Sequence, residues 1–106
     1  MPVKLSPEHA LIVKRILKEH LPDSEVWAFG SRVHAQNLKP HSDLDLVIRA
    51  PNPIPLLQWD KLQAAFSESA LPFKTDIVDW RTLSDEFRKV ILQQYEVFQT
   101  SQKSQP

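Results

Sequence analysis

The sequence predicts an α/β (α+β) domain, a small mixed β-sheet flanked by helices, and three observations lead there. Apolar residues recur at helical spacing in three segments. Three short runs rich in β-branched and aromatic residues, EVWAF, DLDLVI and FKTDIVDW, stand between them. Proline and the single glycine fall at the boundaries, and nine prolines in 106 residues form no repeating tract. A hydrophobic fraction of 42% is enough for one core at this length.

The elements follow in order. Ser6-Pro7-Glu8 has a capping hydroxyl, a first-turn proline and an acid at the positive helix end. Leu11, Ile12, Ile16, Leu17 and Leu21 continue that helix until Pro22 stops it. Glu25 to Phe29 is a strand that runs directly into Gly30-Ser31, and residues 32–42 are polar, with room for a short helical turn. Asp43 to Ile48 is the second strand, ended by Ala50-Pro51-Asn52-Pro53. Pro55 to about Ser69 is a helix with Leu57, Leu62, Ala65 and Phe66 inward, and Phe73 to Trp80 a third strand. A last helix starts near Thr82 or Ser84 and carries Phe87, Val90, Ile91 and Tyr95, although Tyr95 to Phe98 also suits an extended segment. The chain reads as a single domain over residues 1–106, with 99–106 as a disordered tail.

Composition narrows the function. Thirteen basic and thirteen acidic residues leave no net charge, which argues against a general nucleic-acid-coating surface. The absence of cysteine excludes disulfides, a thiolate nucleophile and thiolate metal sites. No apolar run is long enough for a signal peptide or a membrane span, so a soluble cytoplasmic protein is expected.

The chemistry concentrates in FGSRVHAQNLKPHSDLDLVIRA. In a strand, Asp43, Asp45 and Val47 share one face and Leu44, Leu46 and Ile48 the other, with the two aspartates about 7 Å apart at Cα. Like charges so close raise each other's pKa unless a cation neutralises them, and Mg²⁺ prefers such carboxylate oxygens. If the third strand lies beside the second, Asp76 joins them, whereas Asp79 faces the other way. Asp-x-Asp alone equally suits a strand with a solvated face, and a lone glycine often marks only a turn. The ordered combination is what points to chemistry. His34 and His41 lack the partners a zinc site needs.

That combination, GSR at 30–32, HSDLDLVI at 41–48 and KTDIVDW at 74–80, resembles the DNA polymerase β-type nucleotidyltransferase superfamily. It is most similar to the minimal nucleotidyltransferases (MNT) that act as antitoxins of HEPN-domain toxins, and the resemblance covers nearly the whole chain. It implies a minimal polymerase β-type core in which Asp43, Asp45 and Asp76 are catalytic and bind two Mg²⁺ ions, with Mn²⁺ as an alternative. Gly30 and Ser31 would hold the triphosphate of ATP, the co-substrate, with Arg32 and Ser42 as further phosphate contacts. The implied reaction moves AMP to a tyrosine of a HEPN partner in a hetero-oligomer, with a homodimer as a further assembly, and without membrane or nucleic acid. The commoner family pattern has a second glycine where Ala35 or Gln36 stands. A regulatory binding subunit with little catalysis, and a nucleotidyltransferase acting on nucleic acid, are therefore kept as alternatives.

Overall fold

A computed structural model describes residues 5–30 and 43–100. Helix α1 (Pro7–His20) begins where Ser6 Oγ accepts the His9 amide at 3.2 Å and ends as the Leu21 amide donates to Leu17. Its buried stripe is Val13 and Leu17, continued by Leu21, while Leu11 is more than half exposed. The inward face is thus rotated from the expected one, because the i, i+4 pair Val13–Leu17 meets the sheet.

Strand β1 (Glu25–Phe29) has the expected bounds, and β2 (Leu44–Arg49) lies one residue later than expected. Helix α2 (Leu56–Ser67) buries Leu62 and Phe66, but Leu57, expected inward, is exposed. Strand β3 (Thr75–Asp79) leads into a single 3-10 turn (Trp80–Thr82), where Asp79 Oδ1 accepts the Arg81 amide at 3.0 Å. Asp79 is therefore a cap. Helix α3 (Asp85–Gln93) is capped by Ser84, which accepts from the Phe87 amide, and has two acids in its first turn.

The chain then turns extended as β4 (Glu96–Gln99) instead of remaining helical through Tyr95. Gln99, expected within the tail, belongs to β4, and its side-chain amide donates to the carbonyls of Leu21 and Ser24 at 2.8 and 2.9 Å. Residues 101–106 lie outside the described residues, as does the helical turn expected within 32–42.

The sheet has the order β3-β2-β1-β4. Strand β1 runs antiparallel to β2 and β4, while β2 and β3 are parallel, joined through α2 as a crossover. The mixed α/β architecture agrees with the sequence, with a fourth strand added by the C-terminal segment. One face of the sheet, bearing Leu44, Leu46 and Ile48, packs on α1 and α2. On the other, Trp27, Val47 and Ile91 form a second core with Trp80 and Tyr95 around them. Trp27 stacks on Tyr95 with centroids 4.1 Å apart and meets Trp80 edge-on at 5.5 Å. The Arg49 guanidinium lies 4.3 Å from the Trp27 ring centroid and 5.1 Å from that of Trp80. This aromatic packing occupies one end of the face and leaves the other for the carboxylates.

Leu46 is fully buried in the middle of β2. Leu46→Ala is expected to cost about 2–5 kcal/mol, a large share of the ~5–15 kcal/mol of a domain. Chemical denaturation would show this as a much lower midpoint.

Candidate active site at the carboxylate end of the sheet

The parallel register between β2 and β3 sets Asp45 opposite Asp76, and Leu46 opposite Ile77. The Leu44 amide donates to the Lys74 carbonyl at 2.9 Å and locks that register where both strands begin. Side chains at paired positions share a face, so both carboxylates stand on the face opposite the main core. Asp43 precedes β2 directly and is exposed.

Strand β1 supplies the other wall. Phe29 is the partner of Asp45 across the antiparallel pair, and Gly30 follows it. Gly30 has φ +82°, in the left-handed region that side chains rarely adopt. A Cβ there would also overlap Asp45 Oδ2 and lie 3.2 Å from Cγ. Two independent constraints, conformation and contact, therefore require glycine, and they bring a backbone turn against the Asp45 carboxylate.

Burial, followed by the charges of Asp76 and Asp43, raises the Asp45 pKa from 3.8 to about 6. Asp76 is partly neutralised by the Lys74 ammonium at 3.5 Å, on the same face two residues earlier. Among the described residues, no three acidic or imidazole side chains close into a group that could hold a metal ion. The fit to a hard divalent cation lies in the donor chemistry: carboxylate oxygens on adjacent strands, with Asp45 half-buried and facing the charges of Asp76 and Asp43.

The structure thus brings Asp45 and Asp76 into register, puts Asp43 close enough for its charge to reach Asp45, and sets Gly30 against Asp45. Ser31, Arg32 and Ser42 lie outside the described residues, together with His34, Ala35, Gln36 and His41. Phe87, expected on the last helix, meets Phe29, the partner of Asp45, edge-on at 5.9 Å, a contact the sequence did not reveal. Strand alternation gives the face of Phe29, but the approach of α3 is a long-range contact with no local signal.

The polymerase beta nucleotidyltransferase pattern matches residues 12–104. The chain belongs to that family. It is 46% identical over 100 residues to the probable protein adenylyltransferase MntA of Haemophilus influenzae, covering 94% of this chain and 87% of that one. Solved structures share the nucleotidyltransferase fold. A toxin-antitoxin crystal structure with AMP-PNP matches at TM-score 0.71 and 21% identity, over 90% of this chain and 76% of that chain. A tri-AMPylated Shewanella oneidensis HEPN toxin in complex with MNT antitoxin matches at TM-score 0.66 and 20% identity, over 92% and 74% of the respective chains.

Two predictions follow from the local physics. Gly30→Ala should cost about 1–2 kcal/mol for the left-handed backbone, plus the displacement of Asp45. Combined with Asp45→Ala, which removes the overlap, the measured loss should be smaller than the sum of the single losses. Separately, the folded-state pKa of Asp45 lies above its ordinary value, so its protonated form favours folding. That contribution is present below pH 3.8 and is lost as pH rises through about 6. In chelator, Asp45→Asn should be more stable than wild type at pH 8, by on the order of 1 kcal/mol after solvent screening, and show little advantage near pH 3. Thermal unfolding across pH would measure the difference.

Proposed function

We propose that this nucleotidyltransferase is a protein adenylyltransferase that transfers AMP from ATP to a tyrosine of a HEPN-family toxin, and so acts as its antitoxin. The observation that carries the reading is the in-register Asp45–Asp76 pair with the Gly30 turn against Asp45. The close relation to a probable protein adenylyltransferase along nearly the whole of both chains supports a protein acceptor. The fold shared with an MNT antitoxin, in complex with a tri-AMPylated HEPN toxin, supports the partner. An ATP-dependent antitoxin of this kind works in the cytoplasm, and no helix among the described residues is long and apolar enough to cross a membrane.

Asp43, Asp45 and Asp76 would hold Mg²⁺. Bound there, Mg²⁺ neutralises charge on the reacting phosphate and on the departing pyrophosphate. Gly30 lets the backbone of its turn approach the triphosphate, with Ser31, Arg32 and Ser42 as donors to its oxygens. The acceptor oxygen forms a bond to the α-phosphorus while the bond from that phosphorus to the α–β bridging oxygen breaks. The electron pair leaves with pyrophosphate, and the hydroxyl proton passes to Asp76 and on to solvent. Phosphoryl-type transfer depends mainly on positioning and electrostatics, which a domain of this size can supply.

A second reading, an antitoxin that acts by complex formation with little catalysis, is favoured by Ala35 or Gln36 standing where a second loop glycine is common. One experiment separates the two. The purified chain is added to a lysate of its source with Mg²⁺ and ATP labelled at the α-phosphate, beside a γ-labelled control. The enzyme reading expects label from the α position on one small protein and none from γ. Asp45→Ala should reduce the transfer by about 10²-fold or more. No protein label, despite a stable co-purifying partner, would establish the binding reading.

A further inference from the structure

Strand β3 is an edge strand, and among the described residues nothing pairs with its outer side. Because the Lys74 carbonyl accepts from Leu44, the backbone groups of Lys74, Asp76 and Val78 are directed at β2. Those of Thr75, Ile77 and Asp79 alternate with them and are directed outward. Two hollows run along this edge and meet at Ile77. One, of about 560 Å³, is bordered by Gln63, Ser67, Lys74, Thr75 and Asp76. The other, of about 430 Å³, is apolar, bordered by Leu56, Trp59, Val78 and Leu83.

We propose that the acceptor protein presents its hydroxyl on an extended segment that adds to the outer edge of β3. This deepens the adenylyltransferase reading and rests on it. Continuity with the carboxylate site identifies the occupant. Asp76 is on the edge strand itself, with Asp45 beside it on β2 and Phe29 beyond on β1, so the side of Asp76 left open by the sheet is the outer edge. A strand added there satisfies the outward amides and carbonyls of Thr75 and Ile77. Its side chain level with Asp76 on the same face then stands one strand spacing, about 4.8 Å, from Asp76. From there its oxygen can bond to the α-phosphorus as pyrophosphate leaves, with its proton passing to Asp76. The apolar hollow, walled partly by the 75% exposed Leu56, takes an apolar side chain further along the segment.

The test uses proline at Thr75. Its amide is directed away from β2, so Thr75→Pro removes no bond of the sheet but puts a ring on the edge an added strand would use. The Thr75 hydroxyl is buried without a hydrogen-bond partner, so Thr75→Val is the conservative comparison that keeps the amide. Both variants and wild type are assayed for transfer from α-labelled ATP to the lysate protein, for ATP–Mg²⁺ affinity by calorimetry, and for thermal unfolding. The expected result is a transfer rate reduced about tenfold or more in Thr75→Pro, with ATP affinity within about twofold of wild type and transfer retained in Thr75→Val. Transfer at the wild-type rate in Thr75→Pro would overturn the edge-addition inference and leave the enzyme reading standing. Loss in Thr75→Val as well would also overturn it, because a side chain would then carry the effect. Absence of label with wild type would overturn both. Should Thr75→Pro fail to fold, amide hydrogen exchange of the wild-type chain with the purified acceptor decides. Slowed exchange at Thr75 and Ile77 supports edge addition, and unchanged exchange there refutes it.

Discussion

The parallel pairing of β2 with β3 is the constraint on which the site depends. Because side chains alternate along both strands, one register brings Asp45 and Asp76 together on one face while Leu46 and Ile77 enter the core on the other. A slip of one residue would send the acids into the apolar layer and the leucines into solvent, at the cost of burying charge and exposing hydrocarbon. The hydrophobic core thereby enforces the pairing of the two carboxylates. Crossover helix α2 keeps the strands parallel, and its Leu62 and Phe66 are buried in the core that holds Leu46.

The sheet face that bears the carboxylates is divided along its length. At one end Trp27, Tyr95, Trp80 and Arg49 stack into a partly apolar, partly cationic wedge that roofs β1 and β2. At the other, Asp45 is half-buried beside two further acids. Holding an ionised carboxylate there without a counterion is unfavourable, and the raised Asp45 pKa expresses that cost. A domain with little surplus core tolerates such a site because cohesion is concentrated elsewhere, in the main core and the aromatic wedge.

Much of this was legible in local sequence. Ser6-Pro7 and Ser84 start helices through hydroxyls that accept backbone amides, and the alternation in DLDLVI assigned Asp45 to one face and Leu46 to the other. The same parity separated Asp76 from Asp79, which caps the following turn. Less visible was the segment after α3. Tyr95 and Phe98 suit helix and strand equally by periodicity, and pairing with the free side of β1 decided for strand. Leu11 and Leu57 fell on outer faces because the sheet, rather than the count of apolar residues, selects which helix stripe is buried.

By itself the sequence determined where the helices are capped and which side of its own strand each acid takes, since capping and alternation act over a few residues. The tertiary structure decided which strands are neighbours and in what register. It also brought Gly30 against Asp45 and Phe87 against Phe29. These are contacts between distant segments, chosen by the joint packing of both sheet faces, and no short stretch of the chain encodes that choice alone.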